Sequence, residues 1–270
     1  MFEIKDRDFV DLGDYRRAAL KIRIILRRFI RAIELYKIGK FYKKEINSGN
    51  ISEEKLIEEI ILIIQDKTGG LKKISIVYVL ATIINIIMKK QDSIDPIEHQ
   101  DVAESLISLL FIINNKEFNE REVEVLKAAA LLHDIGKTEV DKKILKKPKS
   151  KGTLTKREYE SVKKHSIYGS NMIISISKEF PKQKEILIAI AKIVKHHHEN
   201  EDGTGYPDGL TRDEIPEASL MLRVADVCAA LAARRCYKES FPGKKIKRII
   251  EQGIGTLFSA EIVANFMTFL

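Results

Sequence analysis

His133 and Asp134 stand side by side at the end of an apolar run, Ala128 to Leu132, and Ile135-Gly136-Lys137 follows at once. Adjacent side chains on a helix point about 100° apart, so this imidazole and carboxylate reach one ion only where both turn into a cavity. Further along come His165, the run His196-His197-His198 with Glu199, and Asp226. Each is a candidate ligand. Asp226 interrupts a helix of small and apolar residues from Ala218 to Leu231, and a carboxylate in that setting calls for a cation. Neutral imidazoles bind transition metals well, and mixed imidazole and carboxylate ligation suits iron, manganese or zinc over calcium.

Every signal has a plainer alternative. Asp134 and Lys137 could be a salt bridge at a helix end, and three consecutive histidines could be a surface accident with one of them out of register. His99, in line with Val102, Leu106, Leu109 and Ile113 on an apolar face, could be a satisfied core histidine. What favours a site is that the residues together outnumber anything a helical core needs. The loop Asp202-Gly203-Thr204-Gly205-Tyr206-Pro207-Asp208-Gly209 adds glycines that let backbone approach a ligand, and a tyrosine that can stack or hydrogen-bond.

The elements that must position these residues read as helices. Asp95-Pro96 is a helix start. Glu122 to His133 forms a second helix, and Thr155-x-x-Glu158 is a capping box that launches a helix carrying Tyr159, Val162 and His165. Glu185 to His198 follows, with Ile186, Ile190 and Ile193 on its apolar face. No strand alternation appears from Asp95 onward. Before it, Tyr15 to Lys44 reads as a basic amphipathic helix, Ser52 caps a helix through Ile64, and Leu71 to Lys90 forms an apolar one. The segment from Ile74 to Met88 is too short to span a bilayer, for which about twenty residues are needed. The polar stretch Gln91 to Asp95 divides the chain near residue 92.

The chain has 270 residues, 44% of them hydrophobic, enough for a core. A net charge of +8 and a pI near 9.2 favour anionic partners without identifying them. Cys228 and Cys236 have no framework spacing, which points to a reducing, cytoplasmic setting. The opening Met1-Phe2-Glu3-Ile4-Lys5-Asp6 lacks the basic and apolar regions of a signal peptide. The basic helix could meet nucleic acid or a membrane surface, but a solvated face is the commoner explanation.

Taken in order, His133-Asp134-Ile135-Gly136-Lys137, His165 with Gly169, His197-His198-Glu199, the Gly205-Tyr206-Pro207 loop, Val224-Ala225-Asp226 and Arg235-Cys236-Tyr237-Lys238 resemble the HD-GYP branch of the HD phosphohydrolase superfamily. The resemblance covers about residues 95 to 270. It implies an all-α, HD-type helical bundle over residues 93–270, and residues 1–92 read by their own periodicity as an additional N-terminal basic helical region of unassigned role. It implies two or three divalent metal ions, iron or manganese, and hydrolysis of cyclic di-GMP to linear pGpG or GMP. On this reading His99, His133, Asp134, His165, His197, His198 and Asp226 are metal ligands. Asp134 bridges, and Asp95 stands where some members carry a glutamate for a third metal. Lys137 binds a phosphate oxygen and acts with Asp134 in catalysis, while Gly205, Tyr206, Arg235 and Lys238 contact substrate.

Two positions depart from the family pattern. Ala229 stands where a second acidic residue is common, and Cys236 where proline is usual. Neither is expected to hold metal, so altered support around the site follows, not an empty one. The alternatives are an HD core acting on another nucleotide, and a weakly active cyclic di-GMP receptor or protein-docking module. A homodimer or a signalling-protein partner fits either.

Overall fold

The computed structural model describes residues 9–11, 73–75, 120–145, 147, 154–232 and 243–267. The expected helices over 15–44 and 52–64, the boundary near 92, and the helix start with Asp95 and His99 lie outside the described residues. So does most of the helix expected over 71–90. Two short strands, β1 (Phe9–Asp11) and β2 (Lys73–Ser75), pair antiparallel with Phe9 opposite Ser75 and Asp11 opposite Lys73. Lys73–Ser75 is therefore extended where apolar periodicity predicts helix. A three-residue strand paired with a segment far away in sequence leaves almost no periodic trace.

The rest of the described regular structure is helical, so the all-α class holds. In order come α1 (Glu120–Leu132), a 3-10 turn (Ile135–Glu139), α2 (Lys142–Leu145), α3 (Lys156–Lys163), α4 (His165–Ser177), a second 3-10 turn (Pro181–Gln183), α5 (Lys184–His196), α6 (Glu217–Ala232), α7 (Gly243–Gln252) and α8 (Ala260–Met267). Among the described residues no helix is long and apolar enough to cross a membrane.

The core lies where α5 packs against α4 and α1, with α6 leaning on α5, α1, α7 and α8. Ala128 to Leu132 are all buried, which accounts for a helix end apolar on every side. α5 buries Ile186, Leu187, Ile190, Ala191, Ile193 and Val194 while Lys192 faces solvent. From α6, the Ser219 hydroxyl donates to the Ile193 carbonyl and pins the two helices together (3.3 Å). Cys228 is buried among the α6 core residues, and Ala229 is wholly buried.

Two details set the site. Asp134, at φ −97° and ψ 3°, leaves the α1 helix and starts the 3-10 turn. The turn then passes so close to α4 that a Cβ on Gly136 would run into the His165 carbonyl oxygen and the Gly169 amide nitrogen. Glycine at 136 is thus what lets Asp134 meet the start of α4. The capping box forms as the sequence predicts: Glu158 N–H donates to Thr155 Oγ1 (3.2 Å), and Thr155 N–H to the Glu158 carboxylate (2.7 Å). The helix it launches ends at Lys163, however, and His165 opens α4 instead of lying within α3. The His165 ring and the Ser166 hydroxyl bond back to the carbonyls of Val162 and Lys163 at this junction.

Candidate metal centre

Three histidines are set by one local device. The Nδ1 atoms of His133, His165 and His197 lie 2.7, 2.7 and 2.6 Å from the carbonyl oxygens of Ala130, Val162 and Val194, each three residues earlier. A carbonyl only accepts, so each Nδ1 carries the proton and each Nε2 is turned inward. Fixing the ring through its second nitrogen is the usual support of a metal-ligating histidine. Asp134, His165, His197 and His198 bring one donor atom each to within 4.8 Å of one another. The His165 and His197 Nε2 atoms are 3.4 Å apart.

The carboxylates close the cluster. Asp134 Oδ1 lies 3.4 Å from His165 Nε2, and its Oδ2 lies 3.3 Å from His133 Nε2. One carboxylate thus faces two imidazoles with its two oxygens. Asp226 Oδ1 approaches His133 Nε2 at 3.5 Å, and Asp226 Oδ2 lies 4.0 Å from His198 Nδ1. The Lys137 ammonium lies 2.6 Å from Asp134 Oδ2.

Burial sets the charge states. It pushes His165 and His197 below the ordinary imidazole value, and His198 down to about 3 against a smaller upward pull from Asp226. Burial opposes charge on His133 as well, yet Asp134 and Asp226 together hold it up at about 10. Burial likewise works against charge on Asp134, but Lys137 and His133 keep that carboxylate well below its usual range. Neutral His165 and His197 with their Nδ1 atoms protonated, neutral His198 and at least one buried carboxylate fit a transition-metal ion by donor chemistry. Packing this many polar groups into a core without such an ion would be costly.

The loop after α5 covers one side. Tyr206 N–H donates to the His198 carbonyl (3.2 Å), and the Tyr206 ring lies over the His198 ring, centroids 4.7 Å apart and tilted by 31°. A Cβ on Gly205 would collide with the backbone of Glu199 and Asn200, so this approach requires glycine. Glu199 is wholly buried, and its carboxylate accepts N–H bonds from Asp208 (2.8 Å), Gly209 (3.2 Å) and Leu210 (3.1 Å). Its residue type and position make it a candidate ligand in sequence; in the structure its carboxylate organises the loop. His196 is the histidine out of register, its Nε2 3.0 Å from Asp208 Oδ2, which Lys195 also contacts at 2.6 Å.

The structure therefore gathers His133, Asp134, His165, His197, His198 and Asp226, with Lys137 and the Gly205-Tyr206 turn beside them. Asp95, His99, Arg235, Cys236 and Lys238 lie outside the described residues. Sequence reasoning missed Arg223, which donates to His198 Nδ1 (3.4 Å) and to Asn200 Oδ1 (3.2 Å). His198 is thereby held by a side chain where the other three rings are held by backbone. Arg223 is the sole basic residue of α6, three positions before Asp226, and that isolation was the available signal.

The chain is 41% identical over 145 residues to a cyclic di-GMP phosphodiesterase of Thermotoga maritima, covering 54% of this chain and 37% of that protein. It is 39% identical over 140 residues to a probable cyclic di-GMP phosphodiesterase of Vibrio cholerae, covering 52% and 31%. A 3'3'-cGAMP-specific phosphodiesterase of Vibrio cholerae matches at 36% over 139 residues, covering 52% and 28%. The chain thus spans about a third of the length of these relatives. The HD domain model matches residues 81–253, well over half of the 270 residues, and the chain belongs to the HD domain family.

Proposed function

We propose that this chain is a metal-dependent phosphodiesterase of the HD-GYP type that hydrolyses cyclic di-GMP to linear pGpG, GMP or both. The observation that carries the reading is the convergence of three backbone-fixed imidazoles with Asp134 and Asp226 beneath the Tyr206 loop. His99, His133, Asp134, His165, His197, His198 and Asp226 would hold two or three metals, iron or manganese, with Asp95 beside the third. Such ions, when bound, lower the pKa of a water towards about 7 and neutralise charge on the phosphoryl oxygens.

The chain's own residues do the rest. Asp134, with an oxygen towards each of two histidines, would serve two of the ions. Lys137, a quarter exposed beside it, offers an ammonium to a phosphate oxygen. Tyr206, half-buried on His198, would stack on or hydrogen-bond a substrate held at the cluster. Gly205 brings backbone close to the same place, and Arg235 and Lys238 complete the substrate contacts. The relatives' names divide between cyclic di-GMP and 3'3'-cGAMP, which supports a cyclic dinucleotide containing guanine. We assign residues 93–270 to the catalytic domain and residues 1–92 to a basic region of separate role, acting in a cytoplasmic protein.

The test is turnover of cyclic di-GMP by protein purified without oxygen and supplied with iron(II), manganese(II) or neither, with products resolved by chromatography. Metal-dependent release of pGpG or GMP is the expected result. Bound metal and bound nucleotide without turnover would make the protein a receptor and refute the reading.

A further inference from the structure

A second pair of side chains leads from solvent to this centre. Tyr159 on α3 is the most exposed large hydrophobic side chain among the described residues, at 48%. Lys163 lies four residues further along the same helix, so the two share a face. The Lys163 Nζ sits 5.0 Å from the centroid of the Tyr159 ring and 5.5 Å from that of Tyr206. The Tyr206 ring in turn lies on His198. Exposed ring, ammonium, half-buried ring and the His198 imidazole thus form an unbroken series, each step within the reach of cation–π or ring contact.

Structural duty alone accounts poorly for this arrangement. Lys163 already pairs with Glu160 at 2.9 Å, a surface ion pair of small worth. That pair requires neither Tyr159 nor the approach to Tyr206 from another part of the chain. A cyclic dinucleotide with its phosphodiester on the His/Asp cluster, by contrast, carries a base one sugar away from the scissile bond. A purine there needs a flat apolar surface to stack on, which an exposed aromatic side chain gives. Guanine also presents O6 and N7 as neighbouring acceptors, which an ammonium satisfies.

We propose that Tyr159 and Lys163 form a purine subsite for the cyclic dinucleotide, with Tyr159 stacking on the base and Lys163 donating to its acceptor edge. The assignment rests on the phosphodiesterase reading and names the part of the substrate that these two residues recognise.

The experiment uses the full chain loaded with manganese, with KM and kcat measured for cyclic di-GMP and cyclic di-AMP, nucleotide binding by calorimetry, and manganese content by elemental analysis. Tyr159→Ala should raise KM for cyclic di-GMP about tenfold, the loss expected of one stacked base. Manganese content should be unchanged and kcat much less affected, and Tyr159→Phe should restore KM. Lys163→Met should narrow the preference for cyclic di-GMP over cyclic di-AMP, because adenine offers a donor where guanine has O6. Wild-type turnover with Tyr159→Ala within twofold of the wild-type KM overturns the subsite alone. A Tyr159→Phe variant as impaired as Tyr159→Ala overturns stacking. Wild-type protein that neither binds nor hydrolyses either dinucleotide overturns the subsite together with the phosphodiesterase reading.

Discussion

Replacing Glu199 by glutamine separates its two readings. As a ligand it would contribute to metal content; as the structure has it, it holds the loop that carries Tyr206. One carboxylate oxygen takes the N–H groups of Asp208 and Gly209, and the other takes that of Leu210. Glutamine is nearly the same shape but has only one acceptor oxygen. If that oxygen keeps Asp208 and Gly209, the amide NH2 faces the Leu210 N–H, donor against donor. A hydrogen bond to a charged group contributes about 1.5–3 kcal/mol, and the retained pair weakens once the charge is gone. Glu199→Gln should therefore cost about 3 kcal/mol. For a domain of this size that lowers Tm by about 6–12 °C. The assay is urea and thermal unfolding of metal-free and manganese-loaded protein, with manganese counted in each. A metal-free variant melting within about 2 °C of wild type would refute the loop role. A lost manganese with unchanged metal-free stability would restore Glu199 as a ligand.

Three other outcomes follow from the same geometry. His133→Ala combined with Asp134→Ala should remove both metal content and turnover, and full activity in that double variant would sink the site assignment. Gly136→Ala should destabilise by about 3 kcal/mol, the upper end of overpacking penalties, because its Cβ meets backbone of α4 and not a movable side chain; unchanged urea unfolding would mean the turn can shift away. In metal-free protein, His165, His197 and His198 are held neutral while the unfolded chain binds protons at its ordinary value, so stability should fall with pH from about 6.5 downward, by about 1.4 kcal/mol per unit for each histidine. His133, raised to about 10, acts oppositely: its contribution is full below about 6.5 and is lost as pH rises through 10. A metal-free stability curve flat from pH 5 to pH 7 would contradict these charge states.

Much of the centre was legible because its residues are chemically out of place where they stand. His133 and Asp134 follow directly on the alanine and leucine run, Ala128 to Leu132, that ends α1, and Asp226 interrupts another apolar helix. Burial of such residues without a partner is costly, so their position alone announces a site. The same argument makes Glu199 a candidate ligand, whereas its carboxylate is taken up by the loop. Its burial is satisfied by three backbone amides of residues 208–210, and no pattern of side chains records where backbone N–H groups will point. Arg223 escaped for a related reason. A single arginine on an apolar helix reads as its solvent-facing edge, and only the return of the chain from His198 turns it towards the cluster.

Element boundaries were less legible where a side chain competes with the helix ladder. The capping box at Thr155 is local and was readable, but the helix it starts stops at Lys163, two residues before His165. The step lets His165 bond through Nδ1 to the Val162 carbonyl while α4 sets off against the Gly136 turn. That requirement comes from a glycine twenty-nine positions earlier in the numbering, so no window around His165 contains it. The pairing of Gly136 with the backbone of His165 and Gly169 also explains why the glycine follows His133-Asp134 so closely. Asp134 must leave its helix to face two histidines at once, and the chain must then clear the helix that carries the second. A glycine placed even one residue later would put a Cβ against the His165 carbonyl, so the spacing of the motif is set by the close approach as much as by the ligands.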